Sequence, residues 1–135
     1  MLDLIVKLTA IYNYAKDIHY RAKGESFYST HLLMDRICED INDQIDELKE
    51  VYYLGNTNLP PKSADILKIV YATIPEYSEN VRTEVQNLGA LVQEAIISTR
   101  EVATYNGSNG VQSLVDDIAR SLMLKHGLIQ RTLAA

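Results

Sequence analysis

The sequence predicts an all-α chain folded as a four-helix bundle with a short helix in the one long connection. Three observations carry that expectation: apolar residues recur at helical spacing through four long segments, breaker residues fall between those segments, and no alternating strand pattern competes. At 135 residues, 47% of them hydrophobic, the chain is expected to form one domain over 1–135.

The first helix is expected over 2–22, from the stripe Leu4, Ile5, Leu8, Ile11, Tyr12, Ala15, Ile18, His19 and Ala22. Lys23-Gly24-Glu25-Ser26 then reads as a breaker followed by a capping serine. A second helix is expected unbroken over 26–53, since Phe27, His31, Met34, Ile37, Cys38, Ile41, Ile45, Leu48 and Tyr52 keep the same period. Gly55-Asn56 closes it as a helix C-terminus, and Pro60-Pro61 prevents immediate re-entry. Ser63 to Thr73, with Ile66, Leu67, Ile69, Val70 and Ala72, forms a short amphipathic helix inside the crossover before Pro75.

The third long helix is expected from Ser78 to Tyr105, on Val81, Val85, Leu88, Leu91, Val92, Ala95, Ile96 and Val102. Gly89 within it is either a weakness or a point of close packing. Asn106-Gly107-Ser108-Asn109-Gly110 is a loop signal, and the last helix, 110–133, carries Val111, Leu114, Val115, Ile118, Ser121, Leu122, Leu124 and Ile129. Short links at both ends and one long connection in the middle describe a bundle with a crossover, the connectivity of ferritin-like proteins among others.

The net charge of −5 and the absence of a Lys/Arg run at either end argue against nucleic-acid or anionic-membrane affinity and favour attraction of metal cations. Cys38 is the only cysteine, which excludes a disulfide or thiolate cluster within one chain. The first ten residues mix Asp3 and Lys7 into an apolar run too short to span a bilayer, and a reduced, cytoplasmic protein is expected. The aromatic set, nine Tyr with one Phe and no Trp, suits half-buried and interface positions.

Five residues stand out: His19 near the end of the first helix, and His31, Asp35, Asp46 and Glu50 on the second. On a continuous helix the last four fall at about 0°, 40°, 60° and 100° and share one face. Two imidazoles and three carboxylates suit ferrous iron. Yet His31 and Asp46 would stand about 22 Å apart along such a helix, so one chain cannot close the site. If the second helix packs antiparallel to its own copy across a two-fold axis, the histidine end of each chain meets the carboxylate end of the other, giving two equivalent sites per dimer. Residue by residue, a bland reading stands beside this one. Glu39, Asp40, Asp43 and Glu47 make the helix acidic throughout, so Asp46 and Glu50 also fit a solvated face, and His19 also fits a hydrogen-bonded packing position.

The string from His19-Tyr20 through Gly24 and Phe27 to His31, followed by Asp35, Asp46 and Glu50, resembles the Dps family, the DNA-protection mini-ferritins. The second His follows the first by twelve residues. An Asp follows it by four, and an Asp and a Glu by fifteen and nineteen, as in that family. The resemblance implies a dodecameric homo-oligomer built from two-fold dimers, with ferroxidase centres at those interfaces and a cavity for ferric mineral. His19 and His31 would come from one subunit, with Asp35 beside them as ligand or supporting partner. Asp46 and Glu50 would arrive from the neighbour, Glu50 bridging two irons. Oxidation of Fe(II) by peroxide or dioxygen is the implied reaction, while a cage without appreciable ferroxidase activity, holding zinc or no metal, is the alternative.

Three departures narrow what is carried over. Tyr20 stands where the family usually has Trp, so radical trapping would fall to Tyr20 or Tyr28. No Lys-rich DNA-binding stretch is present. The acidic pore residues expected near the start of the last helix are replaced by Asn109, Gly110 and Leu114, with only Asp116 and Asp117 nearby.

Overall fold

The computed structural model describes residues 1–106 and 108–134, with the backbone alone for 103–106; Gly107, the centre of the last expected loop, lies outside the described residues. The helices are α1 (Leu2–Arg21), α2 (Phe27–Cys38), α3 (Ile41–Leu48), a π-helical turn (Lys49–Leu54), α4 (Ser63–Thr73), α5 (Val81–Asn106) and α6 (Asn109–Leu133). No strand occurs among the described residues, and none of their helices is long and apolar enough to cross a membrane.

Helix α1 packs against α2, α3, α4 and α5, while α6 packs against α5, α2 and α3. The bundle therefore has α1 and α6 on one diagonal and the α2–α3 unit and α5 on the other. Its centre is filled by Leu4, Leu8 and Ile11 of α1, Met34 and Ile37 of α2, Leu88 of α5, and Ile118, Leu122 and Ile129 of α6, all fully buried. Each such side chain contributes roughly 1.5–3 kcal/mol of transfer free energy. Gly89 proves to be a point of close packing: a Cβ there would stand 3.1 Å from Ile129 Cγ2, which lets α5 and α6 approach closely. Helix α4 lies on α1 through buried Ile66 and Val70 and leaves Leu67, Ile69 and Tyr71 exposed.

The second helix is not continuous. It breaks at Glu39–Asp40, where Asp40 adopts a left-handed backbone with φ 66°, and it ends in the π-helical turn. Asp is among the few non-glycine residues enriched in that conformation. The shared-face angles and the rise computed for a straight helix therefore hold within each half and not across the break.

Smaller differences have local causes. Ser26 occupies the position before α2 but its hydroxyl makes no cap; its carbonyl accepts from Thr30 N–H and the Ser29 hydroxyl. Helix α5 starts at Val81 rather than Ser78, because Asn80 Oδ1 accepts from Thr83 N–H as an N-cap. Gly55 has ordinary helical angles, and the left-handed residue after the π-helical turn is Thr57, φ 59°. Gly55 is needed for space instead, since a Cβ would lie 2.5 Å from the Val51 carbonyl oxygen. Phe27, first on the expected apolar stripe of the second helix, is exposed. On α6 the buried stripe runs through Lys125, leaving Leu124 outside.

Candidate metal centre

The turn between α1 and α2 builds the histidine half of the site. Gly24, with φ +100°, reverses the chain so that the last turn of α1 lies beside the first turns of α2. His19, 7% exposed, and His31, partly exposed, then stack face to face with ring centroids 3.6 Å apart and planes 16° from parallel.

Each ring is fixed by the other residue's main chain. His19 Nδ1 lies 2.9 Å from the His31 carbonyl oxygen, and His31 Nδ1 lies 2.8 Å from the His19 carbonyl oxygen. A carbonyl only accepts, so each Nδ1 carries a hydrogen and donates it, and in the neutral ring Nε2 holds the lone pair. That is the arrangement of metal-ligating histidines, whose second nitrogen is held by a carbonyl or carboxylate. Tyr20 packs edge-on to His19 at 4.9 Å, and Phe27 lies 5.1 Å from His31, so two aromatic rings bracket the pair.

Asp35 stands at the Nδ1 side of His19, with Oδ1 3.5 Å from that nitrogen and 3.8 Å from Lys16 Nζ. It thus pairs with Lys16 and sets a negative charge beside the His19 ring. An open groove alongside carries Asp35, Glu39, Asp40 and Asp43, making this face acidic. Cys38, half-buried, lines it too; burial pushes its thiol pKa up, and its Sγ lies 3.8 Å from the Tyr12 carbonyl oxygen.

Asp46 and Glu50 lie exposed beyond the break, Asp46 on α3 and Glu50 in the π-helical turn. Among the described residues no three His, Cys, Asp or Glu side chains gather into a group able to hold a metal ion. The single chain thus offers a pair of oriented imidazoles in one place and two exposed carboxylates in another, and their donor chemistry fits a borderline divalent cation such as ferrous iron.

Sequence reasoning missed two buried groups. Tyr14 donates to Glu84 Oε2 and accepts from Asn87 Nδ2, while Ser78 N–H donates to Glu84 Oε1. Burial first, then the bond to Glu84, raises the Tyr14 pKa. Lys125 is buried at the break, 2.6 Å from the Glu39 carbonyl oxygen. The phase of the α6 stripe, Val111, Val115, Ile118, Leu122, Lys125, Ile129, was the available signal for it.

No family model matches the chain, and no curated protein matches it in sequence. Solved structures do. A Dps protein from Vibrio cholerae O1, described as a member of a broad superfamily of ferritin-like diiron-carboxylate proteins, superposes with a TM-score of 0.83 at 20% identity, covering 98% of this chain and 86% of that one. Dps from Thermosynechococcus elongatus gives a TM-score of 0.86 at 21% identity, with 98% and 87% covered. The chain therefore has the ferritin-like fold of the Dps proteins.

Proposed function

We propose that this chain, as a single domain over 1–135, is the subunit of a Dps-like cage that takes up ferrous iron between two-fold-paired subunits, oxidises it and stores the ferric product. The observation that carries this reading is the stacked His19–His31 pair, with both Nδ1 atoms held by reciprocal carbonyls. Hydrogen-bonding both rings to main chain fixes which nitrogen is free, and so leaves Nε2 of each ring oriented as in metal-binding histidines.

Exposed apolar side chains support the intersubunit placement. Tyr20, Phe27, Tyr28 and Leu32 lie on the histidine side, and Val51, Leu54 and Leu59 lie near Glu50. Apolar surface around both half-sites is what pairing with a second copy would cover. In that pairing His19 and His31 of one subunit meet Asp46 and Glu50 of its neighbour, and Asp35 stands beside His19 as a ligand or supporting negative charge. The carboxylates hold the hard cation, the imidazoles complete its shell, and the acidic groove draws it in.

The iron is substrate. Two ferrous ions give one electron each to one peroxide, whose oxygen–oxygen bond breaks to yield two waters after taking up two protons. Hydrolysis of the ferric product then releases protons as mineral forms. Twelve subunits closing a shell is the assembly proposed.

Anaerobic addition of ferrous iron to the purified protein, followed by hydrogen peroxide, tests this reading. Ferric absorbance should rise faster than in a protein-free control and remain soluble. A rate equal to the control contradicts the oxidase reading, leaving the cage without turnover.

A further inference from the structure

The break between the two halves of the site is held by a group from outside them. Lys125 lies on the core stripe of α6, 4% exposed, and its Nζ donates to the Glu39 carbonyl oxygen at 2.6 Å. Glu39 is the C-cap of α2, and the next residue, Asp40, is in the left-handed region. The last carbonyls of a helix lack intrahelical partners and carry the negative end of its dipole, so an ammonium is favoured there.

Burying an ammonium is costly, which lowers the Lys125 pKa, with Asp40, Cys38 and Glu39 opposing that shift and Arg36 adding to it. Among the described residues none of the ion pairs involves Lys125. An apolar residue would fill this stripe position more cheaply. What the lysine gives in return is one fixed bond at the joint between the helix that bears His31 and Asp35 and the helix that bears Asp46.

We propose that Lys125 is a positioning residue. By clamping the Glu39 carbonyl it fixes the angle between the histidine-bearing and carboxylate-bearing halves, and so brings both into register at the paired interface. The inference rests on the proposed metal centre. In a two-fold dimer each half faces the opposite half of its neighbour, so an error in the joint angle enters both sites of the dimer.

The test uses assembled shells of wild type, Lys125→Met and His31→Ala, with cobalt(II) as an air-stable stand-in for ferrous iron. Lys125→Met should keep the helix content and shell mass. Amides of Glu39 and Gln44, which bond to Arg36 O and Asp40 O on either side of the joint, should exchange about tenfold faster or more. Cobalt affinity should fall about tenfold or more, the usual effect of removing a supporting group, with an altered visible spectrum.

Native affinity and spectrum in Lys125→Met overturn the proposal, whether or not exchange changes. A wild-type shell whose cobalt signal is absent, or survives His31→Ala, overturns the metal-centre reading itself and this proposal with it. If Lys125→Met does not assemble, Asp40→Ala and Asp40→Gly decide. Both remove the same charge, but only glycine favours the left-handed backbone, so Gly should bind cobalt more tightly than Ala. Equal binding by the two overturns the claim that the joint sets the site.

Discussion

Replacing Tyr14 by Phe removes one hydroxyl from the core and leaves the rest of the packing in place. Tyr14 is 3% exposed and donates to Glu84 Oε2, and Glu84 is 5% exposed with its other oxygen 2.5 Å from Ser78 N–H. The substitution therefore takes the phenol donor from a buried carboxylate that water reaches poorly. A hydrogen bond to a charged group contributes about 1.5–3 kcal/mol, and that is the expected loss in urea unfolding at fixed protomer concentration. A double-mutant cycle with Glu84→Met isolates the pair, because the double variant leaves neither partner unsatisfied. A coupling below about 0.5 kcal/mol would refute the reasoning. The pH dependence supplies a second check. Tyr14 has a pKa raised above its ordinary 10.0, so folding favours the protonated phenol. Its contribution is complete below pH 10.0 and is lost as pH rises through the higher native value. The stability gap between wild type and Tyr14→Phe should thus be constant from neutral pH to about 9 and shrink above 10.

Further outcomes follow from the same geometry. Leu32→Glu places a charge on the exposed apolar surface of α2, so the subunit should keep its circular dichroism while shell mass and iron oxidation fall together. Retained oxidation in a verified monomer would count against intersubunit sites. Gly89→Ala gains about 0.5–1 kcal/mol of helix propensity but pushes a methyl to 3.1 Å from the fully buried Ile129, an overpacking cost of about 1–3 kcal/mol. A net loss near 1 kcal/mol in urea unfolding is expected, and a gain would show that α6 yields at no cost.

The bundle was legible because burial follows period. Of the expected stripe, Leu4, Ile5, Leu8, Ile11, Ala15, Ile18 and His19 of α1 and Ala22 just after it are buried and Tyr12 is half-buried, and α4 occupies Ser63–Thr73 as its apolar pattern implies. The break in the second helix was hidden by the same logic. Met34, Ile37, Ile41 and Leu48 keep a helical period across it, and neither Gly nor Pro marks Glu39–Asp40. What accompanies the break lies partly on another helix, where Lys125 bonds to the Glu39 carbonyl, a tertiary contact that local pattern does not encode. Hydropathy alone selects Leu124 for the core, whereas the phase of the stripe selects Lys125. Twelve residues between His19 and His31 suggested that the two meet, but the stacking and the reciprocal carbonyl bonds depend on the turn at Gly24 and on main-chain geometry that spacing does not encode.

In the proposed assembly each metal centre takes its histidines from one chain and its carboxylates from another, and complementation measures that division. A His19→Ala/His31→Ala chain and an Asp46→Ala/Glu50→Ala chain should each form inactive shells. In a mixed dimer one interface site joins the intact histidines of one chain to the intact carboxylates of the other. Co-assembled shells should then recover peroxide-driven iron oxidation at up to about a quarter of wild-type sites, since random pairing makes half the dimers mixed, with one site restored in each. No recovery in shells verified to contain both chains would contradict the account.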